Sequence, residues 1–99
     1  MFDDEASKAD HLKRHGSDFG AKTADEYEKM AREFLNEPLG ASVQECVRRG
    51  NGDTIRFDTV TEAFAIMRSD SIIKSFYKPE VSWHGYRTNL LYFQAECAK

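Results

Sequence analysis

The sequence predicts an α+β fold in which N-terminal helices pack on a four-stranded antiparallel meander. Three observations carry this. Tyr27, Met30, Ala31, Phe34 and Leu35 recur at helical spacing in the first part of the chain. After Gly40 the period changes to alternation, as where Ile55 and Phe57 interleave with Thr54, Arg56 and Asp58. The β-prone runs are joined by connections too short for anything but antiparallel neighbours.

A first helix is expected from Asp4 to His15. The segment holds good helix formers, with acids at its start, bases near its end, and Gly16 where a left-handed cap would sit. A turn-rich connector follows. Thr23 and Glu26 then form a capping box, the hydroxyl accepting from the Glu26 amide while the carboxylate reaches back. The second helix runs from about Ala24 to Asn36 and is closed by Pro38 and Gly40.

Four strands follow: Ser42 to Arg49, Thr54 to Asp58, Ala63 to Arg68 and Ile72 to Lys78. They are punctuated by turns at 50–53, 59–62 and 69–71, and the last ends at Pro79. Glu80 to Arg87 reads as a loop. Thr88 or Asn89 then opens either a short helix or a strand carrying Leu90, Leu91, Tyr92 and Phe93, which the pattern leaves undecided. Residues 1–99 are expected to form one domain, with a helical part to residue 40 and a sheet part beyond it. Tyr27, Phe34, Phe57, Phe64 and Ile66 are its expected core.

The chain is 40% apolar and 31% charged, which suits a compact domain. It has no apolar run long enough to cross a membrane, and its acidic opening does not read as a signal peptide. Cys46 and Cys97 do not form a metal-ligand pattern; among apolar neighbours they read as reduced, mostly buried thiols. The net charge of −3 argues against a polyanionic partner, but its distribution is uneven. Residues 1–45 hold eleven acids against six bases, and residues 46–99 six acids against eight bases. An acidic part could shield one face while the other part supplies a basic one.

Phosphate loops of the Walker or dinucleotide type, a His-Glu-x-x-His helix and a Gly-x-Ser-x-Gly elbow are all missing from the sequence. His11 and His15 have the spacing of two metal ligands on one helix face, but nothing completes the set. No cofactor or metal is expected. What remains suits cleavage of RNA without a metal, which needs a base for the 2′-hydroxyl proton, cations facing the phosphate and an acid for the leaving 5′-oxygen. His15 can be base or acid, and at a helix C-terminus its protonated form is favoured. Arg14 and Lys22 flank it. The sheet offers the cations Arg56, Lys74 and Lys78 and the hydroxyls of Thr61, Ser75 and Tyr77. His15 would serve equally as a helix cap, Arg56 as a solvent-facing strand residue, and Lys74 and Lys78 as edge-strand charges that deter aggregation. Trp83, His84 and Tyr86 could stack on bases or close over the core.

The run Arg14-His15-Gly16-Ser17-Asp18-Phe19-Gly20 resembles the pattern of a basic residue, a histidine and D/E-F-G at the catalytic histidine of colicin D-type tRNA-cleaving domains. Three further stretches are similar to toxin domains at the C-termini of contact-dependent inhibition proteins and filamentous haemagglutinins: Gly52 to Asp58, Thr61 to Phe64, and Ile73 to Pro79. Both groups resemble the barnase, EndoU, colicin and RelE superfamily of metal-independent ribonucleases, built of helices on a four-stranded antiparallel sheet. The resemblance spans roughly residues 11 to 95 in element order. It implies His15 as the general acid or base, Arg14 as the phosphate cation beside it, and Ser75, Lys78, Arg56 and Thr61 as further site residues. Taken with the reading of the residues themselves, His15, Ser75, Lys78 and Arg56 are the expected catalytic residues, and Arg14, Lys22, Thr61, Lys74 and Tyr77 the expected substrate contacts.

The expected function is therefore a ribonuclease toxin domain of interbacterial competition. It would cut tRNA through the 2′-hydroxyl, act in a bacterial cytoplasm, and be held by a cognate immunity protein as a heterodimer, or else be monomeric. The alternatives are a non-catalytic module of the same fold that binds protein or RNA through its sheet, and a structural phage or secretion component.

Overall fold

The computed structural model describes Phe2 and residues 4–99, the Glu5 side chain apart; Met1 and Asp3 of the acidic opening lie outside the described residues. The elements run α1 (Glu5–His15), a 3₁₀ turn (Gly16–Asp18), α2 (Ala24–Asn36), β1 (Val43–Val47), β2 (Thr54–Asp58), β3 (Phe64–Met67), β4 (Ile73–Tyr77), α3 (Val81–His84) and α4 (Asn89–Cys97). The strands form one antiparallel sheet in the order β1-β2-β3-β4. This is the expected meander, and the undecided C-terminal segment is a helix.

The sheet is covered on both faces, which follows from strand alternation. Ala65 pairs with Phe76, and both turn toward α1 and α2, where they meet Tyr27, Ala31 and Leu35. On the opposite face Ile55, Phe57, Phe64 and Ile66 meet Tyr92 and Phe93 of α4. The α1/α2 layer is fixed by a hydrogen bond from the Tyr27 hydroxyl to the Phe76 carbonyl, and by Lys8, buried on α1, whose ammonium donates to Asp25 at 2.8 Å.

Both early helices begin with side-chain caps: Asp4 accepts from the Ser7 amide at 2.6 Å and Thr23 from the Glu26 amide at 3.1 Å. The returning half of the expected capping box differs, since Glu26 accepts from the Lys22 amide. Gly16 also departs from expectation. It is right-handed (φ −56°, ψ −37°) because the chain winds on into the 3₁₀ turn, and the left-handed residue is Gly20 (φ 69°). A Cβ at position 16 would stand 2.6 Å from Leu12 Cδ1 and 3.3 Å from the Ala21 carbonyl oxygen, so any larger residue there would have to displace the Leu12 side chain. The segment read as a loop from Glu80 contains α3, closed by left-handed Gly85 (φ 79°).

The cysteines overturn the reduced reading. Cys46 on β1 and Cys97 at the end of α4 form a disulfide, their Cα atoms 6.1 Å apart. Packing α4 across the sheet brings together two residues 51 positions apart.

Arg56 is likewise not solvent-facing. It is 8% exposed on the α2 side of β2. Its Nε donates to Glu45 Oε1 at 2.6 Å, and its Nη1 donates to the carbonyls of Phe34 (3.0 Å) and Glu37 (2.6 Å). The guanidinium thus satisfies carbonyls left open at the C-terminus of α2, which ends without a left-handed residue. An Arg56→Ala variant is expected to lose about 2–3 kcal/mol of stability in chemical denaturation, because Glu45 and two backbone carbonyls at the end of α2 lose their donor.

Candidate functional site

A cleft of about 500 Å³ opens beside β4. Its position follows from the topology. β4 is the last strand of the sheet; Phe2 bridges its outer side at Ile73, and beyond that bridge the C-terminal turns of α1 and the chain after Pro79 meet beside it. From α1 come His11, Arg14 and His15; from the 3₁₀ turn, Asp18; from β4 and its continuation, Ser75, Tyr77 and Lys78. Glu80, Trp83 and Tyr92 complete the lining.

His15 sits where α1 gives way to the 3₁₀ turn, about a quarter exposed. Its ring lies 5.2 Å from that of Tyr77 and 6.2 Å from that of His11. Asp18 Oδ2 stands 4.0 Å from His15 Nδ1, close enough to orient the ring after a small movement. That carboxylate is held by β4, since Asp18 Oδ2 accepts the Lys78 backbone N–H at 3.1 Å. Burial lowers the His15 pKa below the usual imidazole value; Asp18 opposes this, Arg14 adds to it, and Asp10 opposes it. The protonated form expected from the helix C-terminus is therefore not the favoured one, because loss of hydration outweighs the neighbouring carboxylates. His11 is lowered as well, first by burial and then by Arg14 and His15, against Asp10. Its Nδ1 is buried with no hydrogen-bond partner among the described residues.

The charge in the cleft is mixed, with Arg14 and Lys78 beside Asp18 and Glu80. Arg14 pairs with Asp10 at 2.8 Å, but both side chains are more than half exposed, so a phosphate could displace the carboxylate at little cost. Lys78 extends over the Phe19 ring, its Nζ 5.7 Å from the centroid. The Tyr77 hydroxyl shares a 2.7 Å hydrogen bond with that of Tyr92, and burial, followed by this bond, pushes the Tyr77 phenol well above its ordinary value. Tyr77 offers a fixed ring wall to His15 and not a titrating hydroxyl.

The structure thus brings His15, Arg14, Ser75, Tyr77 and Lys78 together. Four other residues singled out in the sequence lie elsewhere. Arg56 caps α2 on the opposite face of the sheet. Lys74 donates to the buried Asp53 at 2.8 Å, near the β1–β2 turn. Thr61 belongs to the β2–β3 turn, where its hydroxyl accepts from the Ala63 amide. Lys22 is exposed just ahead of α2. Sequence reasoning passed over Asp18, His11 and Tyr92. Asp18 stood within the quoted D-F-G run. His11 reads as an incidental neighbour of His15, and Tyr92 fell on the segment whose helix or strand character was open.

No protein-family model matches the chain, and no curated protein matches it. Among solved structures it is similar to a ribonuclease from Escherichia coli complexed with its inhibitor protein. The TM-score is 0.60 at 22% identity, over 85% of this chain and 95% of that one. At this identity the likeness is one of fold.

Proposed function

We propose that this chain is an endoribonuclease domain of bacterial toxin type that cleaves tRNA without a metal and is restrained by an immunity protein. The observation that carries the reading is the convergence of His15, Arg14, Ser75 and Lys78 in one cleft, within a fold shared with a bacterial ribonuclease. In the proposed reaction neutral His15 removes the 2′-hydroxyl proton and the 2′-oxygen attacks phosphorus. Arg14 and Lys78 face the charge that builds on the phosphoryl oxygens, and the Ser75 hydroxyl donates to one of them. The bond from phosphorus to the 5′-oxygen then breaks, leaving a 2′,3′-cyclic phosphate. The departing oxygen takes a proton from the Lys78 ammonium, which lines the same cleft. Base, cations and donors are all side chains, so no step calls for a metal ion.

The tRNA substrate rests on the likeness of Arg14 to Gly20 to tRNA-cleaving domains. The immunity partner rests on the inhibitor-bound state of the structural neighbour. A partner of this kind would set an acidic surface against Arg14 and Lys78 and exclude the phosphate. Incubating the purified protein with total tRNA, with and without EDTA, tests the reading. Fragments ending in cyclic phosphate are expected in both; intact tRNA, or cutting only when a divalent ion is present, would overturn it.

The pH dependence follows from burial of the imidazole. A base must be neutral to act, and burial holds His15 below the ordinary imidazole value of about 6.5, so the acid limb of kcat/KM should lie below that pH. For stability the sign is the same. The unfolded chain binds protons to His11 and His15 at a higher pH than the folded one, so stability falls as pH drops from 6.5 toward the lower folded values. Initial rates and unfolding midpoints from pH 5 to 8 check both.

A further inference from the structure

Trp83 lines the cleft yet is 55% exposed, an unusual position for the largest apolar side chain in a domain with a small core. Its surroundings hold it rigidly. The rings of His84 and Tyr92 are stacked, 4.5 Å apart and 8° from parallel. The indole stands beside this pair, 5.3 Å from one and 5.4 Å from the other and 84° from both planes. The stacked pair braces the indole from one side and leaves the rest to solvent. His84 is locked in turn: its Nδ1 accepts the Tyr86 amide at 3.1 Å, so its Nε2–H donates to Asn89 Oδ1 at 2.8 Å. Asn89 is 6% exposed, and its amide nitrogen donates to the Pro79 carbonyl at 2.9 Å and to Glu62 at 3.0 Å. A four-residue helix that would not hold its shape alone is therefore pinned at Pro79, His84 and Asn89.

The indole is also one ring away from the chemistry, since Tyr77 lies 6.1 Å from Trp83 and 5.2 Å from His15. A fixed, solvent-facing π surface next to Arg14 and Lys78 matches a nucleotide, whose phosphate meets the cations while its base lies on the ring. We propose that Trp83 is a stacking subsite for the nucleobase beside the scissile phosphate, and hence that the substrate must present an unpaired nucleotide there. A base within a duplex has both faces covered by its neighbours and cannot lie on the indole. Stacking tolerates any base, so this subsite selects for unpaired structure and not for sequence. The inference rests on the ribonuclease reading for its scissile phosphate, but binding at Trp83 is measurable without cleavage.

Trp83 is the single tryptophan of the chain, so its emission reports on this site alone. The wild-type protein is titrated with a fully 2′-O-methylated single-stranded oligonucleotide, which lacks the attacking hydroxyl, and with the same strand annealed to its complement. Saturable quenching by the single strand and little by the duplex is expected. Trp83→Ala should weaken single-strand affinity, read by anisotropy of a labelled oligonucleotide, about ten- to hundred-fold, and Trp83→Phe should recover part of it. Unchanged emission during cleavage of RNA, equal quenching by the duplex, or full affinity in folded Trp83→Ala would overturn the subsite. Quenching by the single strand without cleavage of unmodified RNA would uphold the subsite and reject the ribonuclease reading.

Discussion

Replacing His15 with alanine is expected to reduce RNA cleavage by about 10²–10⁴-fold, the usual contribution of a positioned general base. Folding should be nearly unaffected. The His15 side chain makes no hydrogen bond among the described residues, with the Asp18 carboxylate 4.0 Å away, and it is 28% exposed. Single-turnover cleavage of tRNA together with a thermal melt separates the two effects. Full activity in a folded His15→Ala protein would leave the histidine as the end of α1 and nothing more. The resemblance of Arg14 to Gly20 to a catalytic pattern would then be one of local structure.

Removing the disulfide is expected to have the largest effect on stability. Cys46 and Cys97 close a loop of 51 residues, for which the chain-entropy argument gives about 4 kcal/mol. A double Cys46→Ser, Cys97→Ser variant should therefore melt roughly 15–30 °C below the oxidised protein. Dithiothreitol should lower the wild-type midpoint by a similar amount and leave the variant where it is. The consequence reaches the cleft. α4 is held to β1 by this bond and by Arg48, whose guanidinium donates to the Glu96 carbonyl (2.8 Å) and carboxylate (3.2 Å). The same helix carries Tyr92, which fixes Tyr77 beside His15 and braces Trp83. Cleavage should accordingly decline on reduction, though less than in His15→Ala. An unshifted melting point under reductant would show that the two thiols are not joined.

The two effects differ in how far they could be read from the chain itself. The helices and strands are local: Thr23 caps within three residues, and Ile55 and Phe57 alternate because strand geometry has a period of two. Short turns between strands then leave antiparallel pairing as the natural outcome, so the meander was legible. The α3 turn was not, since four residues after a proline carry too little periodicity, and its shape depends on Asn89 reaching back to Pro79.

For the site, sequence alone determined that the chain holds a histidine with basic neighbours at the end of one helix and hydroxyl and cationic residues on a late strand. It could not determine which of these meet. Arg56 and Lys78 look alike in composition, yet one is consumed by Glu45 and the open carbonyls of α2 while the other reaches the cleft. Lys74 and Ser75 are adjacent, but the β3–β4 register shifts between Ile66 and Met67 and leaves Lys74 out of the pairing, so it reaches Asp53 while Ser75 pairs with Ile66 and lines the cleft. The cysteine pair depends on α4 crossing the sheet, and the depressed His15 pKa on how much water Tyr77 and its neighbours exclude. Such properties belong to contacts between residues dozens of positions apart. They arise when helices and sheet close on one another, and only the tertiary structure decides them.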